Sequence, residues 1–383
     1  MLIILFLISF IFPGCQSHKK IEIIPDAVPW TAYFLNVGKA DCSILKVDDK
    51  YYMIDTGTEE SFPTVLSVLK TLGITSLEAV FLTHTHNDHV GGLEPLLQSI
   101  PINKLYSSEI MSEKKKGGNV ITELSEKYSI SLIRLKKDDK VPLKNSSLNL
   151  RVLAPFVLDS EEDNNNSLVL YLEGDTYNLL FTGDAEFAEE NTFQAVPAHV
   201  LKVAHHGKDD ASSLNFINTV SPSIAVISTD SKEDSESPGS NTIKYLSKVR
   251  ALILQTQTEK LAIKIESSSE GLINSSLKEK TFPKTEKLEI SELDPKGEKI
   301  VITNNNEKDI DISGWFISSS KGNYFFFPEN IIINSKQSIS VVSGKEPPEG
   351  DYIWDTQKLW KAEGFGKLYD NFGRIIDSVE ILN

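Results

Sequence analysis

Thr83-His84-Thr85-His86-Asn87-Asp88-His89-Val90-Gly91-Gly92 constrains this chain more than any other stretch. Three histidines and an aspartate fall within six residues, and five of the seven histidines lie either here or in the pair His205-His206. Upstream, residues 78–82 read as a short buried strand. Gly91-Gly92 then lets the backbone turn tightly. The cluster therefore sits where a strand ends and a loop bends toward a helix. Residues two apart on extended chain point the same way, so His84 and His86 can grip one metal. Asp88 and His89, past the bend, can face a second. Imidazole and carboxylate are the usual ligands for zinc, manganese or iron. Metal-free histidines of a core or a surface would not explain four such groups in this order.

His84-x-His86-x-Asp88-His89 matches the signature of the metallo-β-lactamase superfamily, and more narrowly the segment resembles the soluble domain of ComEC-type competence proteins. The resemblance implies an α/β fold over residues 28–270. Two mixed sheets would be sandwiched between helices (αββα), with two divalent metals, zinc or manganese, at one sheet edge. Further residues follow from the resemblance. Asp55, after the strand pattern of residues 51–54, corresponds to an aspartate that orients the metal loop by fixing its histidines, without binding metal. A turn residue before Gly57 is the alternative. Asp41 ends Val37-Gly38-Lys39-Ala40-Asp41, where the family has Val-Gly-Gln-Gly-Asp; it keeps the aspartate and is expected, like Asp55, to support the metal ligands without binding metal. Asn164 and Ser167 match the Asn-x-x-Ser of ComEC-like chains, where many superfamily members carry another histidine ligand. They are expected at the substrate, leaving the His84/His86 metal one protein ligand short.

Asp184 follows a strand over residues 177–182 and matches the carboxylate that bridges both metals; its alternative role is to cap the next helix. Residues 200–204 lead to His205-His206-Gly207, the family's strand-end motif. One of the pair completes the site of Asp88, His89 and Asp184. His205 is favoured because it directly ends the strand, with His206 contacting substrate; the reverse assignment is the alternative. Lys208 can meet an anionic oxygen or face water. The metal ligands expected are thus His84, His86, Asp88, His89, Asp184 and His205, and Asp88, Asp184 and His206 are expected to act in catalysis. Ser237-Pro238-Gly239 stands where the family commonly has Gly-His-Pro, so that histidine is missing.

Phe62, Val65, Leu66, Leu69 and Leu72 recur at helical spacing between Pro63 and Gly73. They predict an amphipathic helix on a sheet, without chemistry. Cys42, in an apolar strand pattern, reads as a buried small hydrophobe. Lys114-Lys115-Lys116 reads as a solvated loop.

Residues 2–12 are apolar apart from Ser9, a length that suits a secretory signal better than a membrane span. Gly14-Cys15 resembles a bacterial lipobox, which implies a signal over residues 1–15 and lipidation of Cys15. An uncleaved N-terminal anchor is the alternative. Either places the body outside the cytoplasm, as a lipoprotein secreted across the inner membrane and anchored in the bacterial cell envelope.

After a polar linker the composition shifts to short strand-like runs broken by Gly, Asn and Asp. Residues 298–304, 311–315, 325–328 and 368–373, with Trp354, Trp360 and Asp377-Ser378, resemble a lamin-tail domain. That resemblance implies an all-β Ig-like sandwich over residues 285–383, with Trp315, Trp354 and Trp360 as core. Its expected role is targeting or substrate binding toward an unspecified partner.

These features predict an extracytoplasmic metal-dependent hydrolase. The ComEC resemblance implies a phosphodiester substrate, in nucleic acid or nucleotides, attacked by metal-activated hydroxide. A net charge of −15 argues against non-specific DNA binding. Two alternatives stand beside it: hydrolysis of another ester, lactone or phosphocholine-type bond, and a non-catalytic surface-binding lipoprotein.

Overall fold

The computed structural model describes residues 29–110, 120–144, 146–361 and 364–381. The expected signal, Cys15 and the lysines at 114–116 lie outside them.

Strands β1 (Trp30–Leu35), β2 (Ser43–Val47) and β3 (Lys50–Ile54) pair antiparallel through short connections. Beyond β3 the chain crosses over through helix α1 (Phe62–Leu72), so β4 (Ala79–Leu82) pairs parallel with β3. β5 (Lys104–Ser108) and β6 (Ser131–Leu135) continue in parallel. A second sheet holds β7 (Lys140–Pro142), β8 (Asn149–Ala154), β9 (Val169–Glu173), β10 (Leu179–Phe181), β11 (Val200–Lys202), β12 (Ile224–Ile227) and β13 (Leu252–Gln255) in reverse spatial order. β14 (Ala262–Ser268) then returns to pair with β1, and β15 (Gly271–Ser276) closes that edge, carrying the first sheet past the expected limit at 270.

Alternation along the strands explains the layering. In β1, Ala32 and Phe34 face the interior shared by the two sheets, with Phe81 and Phe181. Tyr33 and Leu35 face the other way, toward α1 and its Val65, Leu66 and Leu69. The far side of the second sheet is covered by the helices Leu214–Val220 and Ser240–Lys248. The result is the expected αββα sandwich. α1 ends at Gly73, whose left-handed backbone (φ 70°) lets its N–H cap the last turn.

The C-terminal part is all β. β16 (Glu289–Asp294), β17 (Lys299–Thr303), β22 (Ser338–Val342) and β23 (Tyr352–Ile353) form one sheet. β18 (Ile310–Asp311) and β21 (Ile332–Ile333) pair separately. β19 (Phe316–Ser319), β20 (Tyr324–Phe326), β24 (Gly364–Tyr369) and β25 (Ile375–Ile381) form the other large sheet. Trp315 and Trp360 are buried in its core beside Ile300, Ile317 and Leu368, while Trp354 is only partly covered.

The two parts are packed together by aromatic rings. Phe62, at the start of α1, meets Phe316, Tyr324 and Phe326 with centroids 6.0, 5.3 and 6.0 Å away, each close to edge-on. Phe316 stacks in turn on Tyr369 at 4.7 Å. Such rings bury large apolar area, and edge-to-face pairing adds a further ~1 kcal/mol each.

Candidate metal centre

The site gathers where strands of both sheets end. Asp55 follows β3, the histidine motif follows β4, Asp184 follows β10 and the His205-His206 pair follows β11. Carboxyl ends of parallel strands are where such sheets open to ligands. β4 is buried throughout and delivers Thr83 to Thr85 still inside the protein. His86 then starts the short helix α2 (Asn87–Val90), which turns Asp88 and His89 back over the strand end.

Asp88, His89, Asp184 and His206 converge. His89 Nε2 lies 3.2 Å from Asp184 Oδ2. His206 Nε2 lies 3.3 Å from Asp88 Oδ2 and 3.4 Å from Asp184 Oδ2. These contacts lack hydrogen-bond alignment: His89 Nε2, His206 Nε2 and Asp184 Oδ1 are buried without a hydrogen-bond partner among the described residues, as is His84 Nε2. Buried polar atoms are normally satisfied. Three of the four, on His89, Asp184 and His206, belong to one cluster with Asp88 that fits a cation, whereas His84 stands outside that cluster. Nitrogen and carboxylate oxygen are the donors a divalent transition metal takes.

The opposite edge of each ring is held. His89 Nδ1 sits 2.8 Å from Asp55 Oδ2, whose carboxylate also accepts from Thr83 N and Thr83 Oγ1, both at 2.8 Å. His206 Nδ1 donates to the Ser228 carbonyl at 3.1 Å. Both rings thus carry a proton on Nδ1 and turn Nε2 inward, the arrangement that orients ligand imidazoles. The His84 ring lies tilted against that of His89 at 4.1 Å and edge-on to that of His86 at 4.7 Å. Its Nδ1 is 3.2 Å from Thr83 Oγ1 and 3.3 Å from Ser167 Oγ.

Residues 35–231 match the family profile described as the metallo-beta-lactamase superfamily. The chain belongs to that superfamily. Residues 281–382 match the lamin tail domain. ComE operon protein 3 of Bacillus subtilis is 26% identical over 269 residues, covering 64% of this chain and 33% of that protein. Recombination protein 2 of Haemophilus influenzae is 27% identical over 206 residues, 52% of this chain and 24% of that protein. Competence protein ComA of Neisseria gonorrhoeae is 25% identical over 213 residues, 53% of this chain and 28% of that protein. The chain spans a third or less of the length of these relatives.

Within this metallo-β-lactamase site the expected division of the histidine pair is reversed. His206, not His205, joins Asp88, His89 and Asp184. β11 stops at Lys202, so neither histidine ends the strand. Both lie on a left-handed turn, with φ 47° at His205 and 54° at His206, and strand alternation no longer sets their direction. His206 turns inward and is fully buried, whereas His205 keeps Nδ1 2.9 Å from Asp210 Oδ1 and 3.6 Å from Glu186 Oε1. His86 stays half-buried beside His84.

The residues expected at substrate are mostly engaged with the protein. Ser167 Oγ accepts from Asp184 N at 3.0 Å and so supports two of the metal-facing groups. Asn164 Nδ2 donates to Glu186 Oε1 at 2.8 Å, and its Oδ1 is buried without a hydrogen-bond partner among the described residues. Lys208 is paired with Asp234 at 3.1 Å. Asp41 lies 3.8 Å from His206 Nδ1 and forms a buried ion pair with Lys202 at 2.7 Å. Lys202 escaped the sequence reading, although a lysine inside the apolar run of residues 200–204 was the signal for it. Thr83, Ser228 and Asp163, which holds Thr85 by two hydrogen bonds, offered none.

The charges are matched. Burial opposes ionisation of His206, yet Asp184 and Asp88 outweigh it and raise its pKa to about 9. Burial likewise disfavours a charged His89, but Asp184 and Asp55 lift it well above the usual imidazole range. Burial would raise Asp184, but His89 and His206 hold it well below an ordinary carboxyl. Burial and then His89 push His84 well below the imidazole range, leaving its lone pair free in neutral solution.

Proposed function

We propose that this chain is a metal-dependent phosphodiesterase. The convergence of Asp88, His89, Asp184 and His206, with His89 Nε2, His206 Nε2 and Asp184 Oδ1 buried without a hydrogen-bond partner among the described residues, carries the metal-dependent part. His84 and His86 would hold one divalent cation, zinc or manganese, and Asp88, His89 and His206 a second, with Asp184 shared. When bound, such cations lower the pKa of water and offset negative charge on reacting oxygens. The protein's own part is positional. Asp55 and Ser228 fix His89 and His206, and Ser167 fixes His84 and the Asp184 amide. His205, paired with Asp210 outside the cluster of Asp88, His89, Asp184 and His206, would be left to contact substrate.

A phosphodiester in nucleic acid or nucleotides is supported by the names of the relatives, competence and recombination proteins. Lys39, Lys202 and Lys208 each meet a carboxylate, so the cations would supply the positive charge for a phosphate. An extracytoplasmic, lipid-anchored location rests on residues 1–15 alone.

The test uses the chain without residues 1–15, with bis(p-nitrophenyl) phosphate and single-stranded DNA in added zinc or manganese. Turnover that Asp184→Ala abolishes together with metal loading is the expected result. Full activity in that variant would refute the two-cation site. Bound metal without turnover would move the assignment to another ester or lactone; neither metal nor turnover would favour a binding protein.

A further inference from the structure

Residues 55–61 belong to the metal centre at one end and to the domain junction at the other. Asp55 holds the His89 ring, and Thr56 donates to the His89 carbonyl through N at 2.7 Å and through Oγ1 at 3.0 Å. Gly57 N donates to the Asp41 carbonyl at 2.8 Å, and the Gly57 carbonyl accepts from Gly92 N at 3.0 Å. Packing is close: a Cβ on Gly92 would stand 2.3 Å from the Thr56 oxygen, and one on Gly91 2.9 Å from Glu59 N. Asp55 itself has φ 58°, a left-handed conformation that a non-glycine residue keeps only where its surroundings enforce it.

The other end is held by the lamin-tail domain. The Tyr324 hydroxyl donates to the Glu59 carbonyl, which Phe62 N also reaches at 3.2 Å. Its ring packs against Phe62 at 5.3 Å and against Phe316 at 5.8 Å. Tyr324 is only 7% exposed, and its phenol stays a proton donor because burial raises its pKa well above the tyrosine range. The turn between β24 and β25 also approaches α1, where a Cβ on Gly373 would stand 2.4 Å from the Pro63 oxygen.

We infer that Tyr324 is a positioning residue for the metal centre: through its bond to Glu59 the lamin-tail domain clamps residues 55–61, and these hold Asp55 and the backbone of His89 in register. The clamp acts on the centre proposed above and presupposes it. It makes the lamin tail a working part of the hydrolase domain as well as an appended module.

Tyr324→Phe in the otherwise unchanged chain keeps the ring and removes the donor. Two measurements decide. Amide hydrogen exchange of the metal-free protein should speed up at residues 55–61 and 89–92 and stay unchanged in β10 to β12. Zinc affinity, read by competition with a chromophoric chelator, should fall roughly two- to tenfold, the range expected for one hydrogen bond. Unchanged exchange in those two segments overturns the clamp; faster exchange with unaltered zinc affinity overturns its link to the metal centre. A parent chain that binds no zinc would defeat the metal-centre reading, and the exchange arm would still decide whether Tyr324 holds the segment.

Discussion

Lys202 Nζ and Asp41 Oδ2 lie 2.7 Å apart with both side chains almost wholly buried. The pair ties the end of β11, in the second sheet, to the turn between β1 and β2, in the first. Lys202 also donates to the Val203 carbonyl at 3.0 Å, and Asp41 accepts no other side-chain hydrogen bond among those described. Removing one partner leaves the other charge buried, at a cost of roughly 3–5 kcal/mol. Lys202→Met should lower stability by about that amount in urea unfolding. Lys202→Met with Asp41→Leu should lose much less than the two single variants added together.

The inward turn of His206 and the outward turn of His205 separate two variants that sequence alone could not distinguish. His206→Ala should reduce the metal content of purified protein, measured by elemental analysis. His205→Ala should retain the same metal per chain, and any defect should appear in turnover. Equal metal loss in both would contradict the geometry.

Asp55 is not among the residues that would hold the cations in the proposed site, yet it fixes the tautomer and angle of His89. Partners of this kind are worth about 10- to 100-fold in metal affinity. Asp55→Asn should weaken zinc binding within that range while leaving the saturating stoichiometry unchanged, read by titration against a competing chelator.

Glu59 sits at the domain junction, and burial, with Glu60 and Glu94 nearby, raises its pKa from 4.5 to about 7. Between those values the folded chain holds a proton that the unfolded chain has released. Its contribution to stability is therefore complete below pH 4.5 and is lost as pH climbs through about 7. Glu59→Gln should flatten the dependence of the unfolding midpoint on pH across that window. An identical slope in the variant would show that Glu59 does not titrate there.

Much of this protein was written locally. His84-x-His86-x-Asp88-His89 after a buried strand, Asp184 at a strand end and the spacing of Phe62, Val65, Leu66 and Leu69 are short-range patterns, and backbone period turns them directly into direction. Those motifs carry the resemblance to the superfamily, and it was the resemblances, not periodicity, that implied the αββα layers and the lamin-tail sandwich. What only the tertiary structure decided depends on turns and on contacts distant in sequence. A left-handed turn, which no alternation rule covers, chose His206 over His205. The Asp41–Lys202 pair and the bond from Tyr324 to Glu59 join residues 161 and 265 positions apart. Only the packing of one sheet on the other, and of the lamin tail on α1, brings such groups within reach.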